Sequence, residues 1–144
     1  MADILVVNGP NLGLLGRREP SIYGGTDLDG LIAGLRRAFP GHRIDHRQSE
    51  LEGELIRWLH EADGVYAGVV LNAGGYSHTS VALRDAVASV AVPVLEVHLS
   101  NLLAREPFRH TSLVGAVCVG SIMGLGTESY RLAVDHLLRR AAAS

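Results

Sequence analysis

The 144-residue sequence has no lysine, one cysteine and one tryptophan, and its acids and bases nearly cancel to a formal charge of −2. Without lysine, no side-chain amine is available to form an imine with a carbonyl substrate. One cysteine excludes an internal disulfide and points to a reducing compartment. The mixed charge offers no basic footprint for a phosphate backbone or an anionic membrane, so neither nucleic acid nor membrane is an expected partner. Apolar stretches are broken by glycine, asparagine or charge well before the roughly 20 residues of a membrane-spanning helix. Met1 leads into a strand-like segment with no basic-then-apolar leader, and the expected location is cytoplasmic.

What is present is an alternation. Five short apolar runs rich in β-branched residues are each followed by a helical pattern, as in a parallel sheet with crossover helices. The strands are expected at Ile4 to Val7, His42 to Gln48, Tyr66 to Leu71, Pro93 to Val97 and Gly115 to Val119. The first helix is expected to open at Thr26, to bury Leu28, Leu31, Ile32 and Leu35, and to stop at Pro40-Gly41. Ser49 with Glu52 has the form of a capping box for a second helix with Leu51, Leu55, Trp58, Leu59 and Ala62 at helical spacing. A third helix is expected from about Ser80 to Val90, and a last one buries Tyr130, Ala133, Val134, Leu137 and Leu138. The length fits a single domain over 1–144. The expected architecture is α/β: a flavodoxin-like three-layer sandwich whose five-stranded parallel sheet has the order 2-1-3-4-5. In such sheets ligands bind beyond the carboxyl ends of the strands, and here two connections, from Asn8 to Gly25 and from His98 to about Val114, are too long to be plain turns.

Three neutral polar clusters leave those strand ends: Asn8-Gly9-Pro10-Asn11, Asn72-Ala73-Gly74-Gly75 and His98-Leu99-Ser100-Asn101. Amides, an imidazole and glycine-freed backbone donors suit a small hydroxylated ligand carrying one carboxylate. Taken singly, Asn8 reads equally well as a turn cap, and His78 and His98 as structural histidines bonded to backbone. Their convergence on neighbouring strand ends favours function. No second acidic group joins the histidines, so no metal is expected. The glycines from Gly9 to Gly16 lack the spacing of a phosphate loop.

These clusters, together with Leu15-Gly16-Arg17-Arg18-Glu19-Pro20, Tyr23-Gly24, Gln48-Ser49, Asn72 to Ser80, Glu96 to Asn101, Arg105 to Arg109 and Gly124-Leu125-Gly126 with Tyr130, resemble the type II dehydroquinases across nearly the whole chain. The resemblance implies a cofactor-free lyase that removes water from 3-dehydroquinate by anti elimination through an enolate, in the shikimate pathway. It implies Tyr23 as the base, held as phenolate by the charge of Arg18; His98 as the general acid; and Asn11 as the residue that orients a water at the enolate oxygen. Substrate contacts are implied for Asn72, Gly74, His78, Arg109, Leu99 and Ser100, and for Asp85 in a neighbouring subunit's site. Glu96 is implied to orient His98, and the stretch from Arg18 to Tyr23 to be a mobile lid.

The sequence departs from the family pattern at Glu50, Ser77, Thr111 and Glu128. None of these falls on the implied acid or base. The resemblance also implies a homo-oligomer, a dodecamer of trimers. The alternative is a flavodoxin-like ligand-binding or scaffold domain without catalysis. A phosphoacceptor module needs acids after the first strand, where asparagines stand, and a flavin binder needs aromatic walls.

Overall fold

In the computed structural model, which describes residues 2–17 and 25–144, five parallel strands form one sheet. They are β1 (Asp3–Asn8), β2 (Arg43–Gln48), β3 (Gly68–Asn72), β4 (Val94–His98) and β5 (Gly120–Met123), in the order β2-β1-β3-β4-β5. Between them run α1 (Leu28–Ala38), α2 (Glu52–Ala62), a single turn α3 (Tyr76–Thr79), α4 (Val81–Ser89) and α5 (Glu128–Ala142). The alternation of side chains along each strand divides the core in two. Ile4 and Val6 of β1, Val70 of β3 and Leu95 and Val97 of β4 pack against Leu31, Ile32 and Leu35 of α1 and Tyr130, Val134 and Leu137 of α5. Leu5, Val7, Val69, Leu71 and Val94 pack the other way, against Leu55 and Leu59 of α2 and Leu83, Ala86 and Val87 of α4. The three layers and the strand order are those expected.

Several boundaries differ, for identifiable reasons. The last strand is four residues, Gly120–Met123, and lies beyond the run expected to form it. Residues Gly115–Val117 form a 3-10 turn instead. Gly115 approaches the buried Glu96 so closely that a Cβ there would meet Glu96 Oε1 at 2.5 Å, so this stretch covers a carboxylate and cannot extend beside β4. The capping box does not form. Ser49 Oγ accepts from the Leu51 amide at 2.9 Å and donates to Glu54 at 2.5 Å, while Glu52 receives the Ser80 hydroxyl and Leu51 caps α2 without a side-chain bond. α1 begins at Leu28, two residues after Thr26, because the Asp27 carboxylate accepts the Gly30 amide at 2.8 Å. The turn α3 breaks what reads as loop before Ser80, which caps α4 by accepting from Leu83 at 2.9 Å. β3 and β4 run on to Asn72 and His98, carrying their polar ends to the edge of the sheet.

Candidate active site

A cavity of about 150 Å³ opens beyond the carboxyl ends of β1, β3 and β4. Its lining includes Asn11 from the first long connection, Asn72 and Gly74 from the end of β3, His78 from α3, His98, Leu99 and Ser100 from the end of β4, and Arg105 and Arg109 from the second long connection. Ten of the twelve residues singled out by sequence are described, and eight of these line one cavity. Glu96 is the ninth, buried directly behind His98. Asp85 is described but lies outside the cavity: it sits on α4 with 65% of its side chain exposed and is paired with Arg84. Tyr23 and Arg18, and with them the stretch read as a lid, lie outside the described residues.

Asn8 and Asn72 face each other in register across β1 and β3, on the α5 side of the sheet. Tyr130 of α5, fully buried, bridges them: its hydroxyl donates to Asn8 Oδ1 at 2.5 Å and accepts from Asn72 Nδ2 at 2.9 Å. Burial, opposed only in part by the Asn72 bond, pushes the Tyr130 phenol well above its ordinary value. It therefore remains a neutral hydroxyl. Asn72 Oδ1 accepts the Gly74 amide at 3.1 Å, where Gly74 takes φ 58°, a left-handed turn that favours glycine.

Glu96 and His98 point to the opposite face. The Glu96 carboxylate, 1% exposed, accepts the hydroxyls of Ser112 at 2.5 Å and Ser121 at 2.7 Å, and lies 3.3 Å from His98 Nε2. That nitrogen is within ion-pair distance but off the line of a good hydrogen bond. Burial pushes the Glu96 carboxyl up, but His98 and the two serine hydroxyls together outweigh it and hold the group below its ordinary value. A buried carboxylate therefore stands behind the imidazole that lines the cavity. His78 stacks near His98 with ring centroids 6.4 Å apart. Its Nδ1 is 2.8 Å from the Thr111 carbonyl; since a carbonyl only accepts, Nδ1 carries the proton and Nε2 of the neutral ring keeps its lone pair.

Asn11 is held by its backbone. It takes φ 69°, and its amide donates to Glu50 Oε2 at 2.7 Å, while Gln48 Nε2 donates to Glu50 Oε1 and to the Gly9 carbonyl. The Asn11 amide, followed by the Gln48 amide, lowers the Glu50 carboxyl. Arg105 Nη1 donates to Ser100 Oγ at 3.2 Å, and Arg109 donates to both oxygens of Glu106. Two guanidinium groups thus flank the cavity. The lone Cys118 is no nucleophile, because burial and then the Glu96 charge push its thiol up to about 12. Among the described residues, no three His, Cys, Asp or Glu side chains converge as metal ligands, and no helix is long and apolar enough to cross a membrane.

Sequence reading missed four contributors. Tyr130 reads from the sequence as core and as part of the closing motif, with no bonding role, although a buried tyrosine needs a partner for its hydroxyl. Ser112 and Ser121 carry no signal of their own, but a glutamate in an otherwise apolar strand demands such partners. Arg105 stands in the motif beside Arg109 without a role assigned to it.

An open parallel sheet of this order, with amides, imidazoles and arginines around a small cavity at its carboxyl ends, defines a flavodoxin-like α/β protein built to hold a small polar acid. Comparison makes the assignment specific: the family model for class II dehydroquinase matches residues 2–138, and the chain belongs to that family. It is 55% identical over 136 residues to a 3-dehydroquinate dehydratase of Exiguobacterium, covering 94% of this chain and 93% of that one. It is 53% identical over 140 residues to the 3-dehydroquinate dehydratase of Chlorobaculum tepidum, with 96% and 95% covered. The crystal structure of a type II dehydroquinase from Butyrivibrio crossotus superposes with a TM-score of 0.92 at 41% identity, covering 95% of this chain and 97% of that one.

Proposed function

We propose that this chain is a lyase that converts 3-dehydroquinate reversibly to 3-dehydroshikimate, using neither metal nor organic cofactor. Tyr23, as phenolate beside Arg18, takes the C2 proton, and the electrons of that C–H bond pass to the carbonyl as an enolate. Collapse of the enolate expels the C1 hydroxyl, which receives a proton from His98 and departs as water. Tyr23 is then a phenol and His98 has lost a proton, so one proton must return between them to reset the site. Asn11 orients a water at the enolate oxygen, Asn72 and Gly74 hold the region of the leaving hydroxyl, and His78 and Arg109 hold the other ring hydroxyls. Leu99 and Ser100 receive the carboxylate.

The observation that most directly supports this reading is the pairing of His98 with the buried, anionic Glu96 at the wall of a cavity whose other polar lining is two asparagines, a serine, a second imidazole and two guanidinium groups. A carboxylate at that place stabilises the imidazolium that general acid catalysis requires. Binding without catalysis needs no buried charge there. The test is Tyr23→Phe, which should abolish turnover while leaving ligand binding measurable by calorimetry; near-normal turnover contradicts the assignment of the base.

The same reading extends to assembly and location. One domain carries the function, in the cytoplasm, as a homo-oligomer formed as a dodecamer of trimers, with Asp85 reaching a neighbouring subunit's cavity. The outward exposure of Asp85, away from its own chain's cavity, supports this role. Light scattering on the eluting protein checks the mass, and Asp85→Ala should weaken substrate affinity.

A further inference from the structure

A row of polar groups, buried at Asn72, Tyr130 and Asn8 and half-buried at its ends, leads out of the cavity on the α5 side: Gly74, Asn72, Tyr130, Asn8 and, last, His46 of β2, whose Nε2 lies 3.0 Å from Asn8 Nδ2. Its direction follows from one group that cannot turn round. The backbone N–H of Gly74 only donates, so the Asn72 atom facing it is the carbonyl oxygen. Asn72 therefore turns its NH2 toward Tyr130, whose oxygen accepts and whose single proton must go on to Asn8. Asn8 accepts that proton through Oδ1, which leaves its own NH2 facing His46. His46 Nε2 must then be an unprotonated acceptor, with the ring proton on Nδ1.

We infer that His46 is a positioning residue for the dehydration: as a neutral acceptor it fixes the orientation of the Asn8, Tyr130 and Asn72 groups, and with it the face that Asn72 presents to the substrate. A proton on His46 Nε2 would meet the Asn8 amide head on. Either that bond breaks, or both asparagines and the tyrosine reverse and set Asn72 Nδ2 against the Gly74 N–H. Both outcomes disturb the cavity wall from more than one side chain away. The surroundings of His46 favour the neutral ring. Burial lowers its affinity for a proton, the charge of Arg36 on α1 lowers it further, and Asp29 on the same helix opposes them. Arg36 is fixed there by its bond to the Ile44 carbonyl on β2. On the remaining side, His46 borders a shallow cavity shared with Arg17, Asp27, Asp29 and Gln48. Because the folded protein disfavours the charged ring, the contribution of His46 is present at neutral pH and is lost as pH falls through its lowered value.

The inference rests on the proposed reaction, so its test has one arm that does not need turnover. In protein labelled with 15N at asparagine, the side-chain amide signals of Asn8 and Asn72 should move together as His46 titrates. In the second arm, kcat/KM is followed against pH for the wild type, His46→Gln and His46→Leu. The Gln amide can place an acceptor near the position of Nε2 without titrating in this range. His46→Gln is expected to stay within about threefold of wild type at pH 8 and to lose one component of the fall on the acid side; His46→Leu should drop about tenfold at every pH, the cost of an unpaired buried amide. An Asn72 signal indifferent to the His46 titration overturns the inference, whether or not the protein turns over. So does an acid limb identical in the wild type and His46→Gln. Absence of any dehydration with the asparagine signals coupled would instead remove the proposed reaction and leave the hydrogen-bonded row standing.

Discussion

The two faces of the sheet treat polarity at the strand ends in opposite ways. Toward α1 and α5, Asn8, Asn72 and Tyr130 form a row of neutral groups, each partner satisfied and none able to change charge near neutral pH. Toward α2 and α4, Glu96 keeps a charge in the core, supported by two serine hydroxyls and by His98. Neutral directional bonds fix where atoms point, and a buried charge changes what a neighbouring imidazole can do with a proton. In the proposed reaction one face therefore orients the substrate and the other moves the proton, and the cavity lies where they meet.

Substitutions can break this contrast, and the largest effect belongs to the proton-moving face. His98→Gln should lower kcat by about 1,000-fold or more, since it removes the proposed proton donor, with KM changed far less. Glu96→Gln comes next: steady-state kinetics should show kcat down by about 100-fold with the fold intact, because the imidazolium loses its counter-charge. The same variant has a signature in stability. Glu96 sits below its ordinary value in the folded protein, so its charge favours folding at neutral pH, and that contribution is lost as pH falls through the lowered value. Thermal unfolding from pH 7 to pH 3 should be less acid-dependent in Glu96→Gln than in the wild type. On the orienting face, Tyr130→Phe leaves Asn8 Oδ1 and Asn72 Nδ2 without their shared partner, and urea titration should show a loss of about 1–3 kcal/mol. Ser121→Ala should be mildest, costing about 1 kcal/mol for one bond to a carboxylate that keeps Ser112. A kcat loss from Tyr130→Phe as large as that from Glu96→Gln would break the division of labour.

Periodicity made the frame legible. The β-branched runs and the helical stripes marked the alternation of strands and helices, because the inner strands β1, β3 and β4 bury both faces and each helix only one. The failures share a physical cause: a polar group whose partner lies far away in sequence. Ser49 and Glu52 have the local form of a capping box, yet Glu54 and Ser80 compete for them and win. The run from Gly115 to Val119 has strand composition, but Glu96, about twenty residues earlier, requires its first part as a cover. The site was legible through its motif, eight of whose described residues line one cavity, whereas Tyr130 and the two serines could be found only by asking what Asn8, Asn72 and Glu96 bond to. Glu50, a departure from the family pattern, has its role in fixing the Asn11 backbone, which no spacing rule would suggest.

The central claim is that this chain dehydrates 3-dehydroquinate with its own side chains alone. The most direct measurement mixes chelator-treated, borohydride-treated protein with 3-dehydroquinate and follows the near-ultraviolet absorbance of the conjugated enone. Rapid enone formation that survives both treatments is the expected result; no enone from well-folded, fully assembled protein would contradict the account and leave a binding protein in its place.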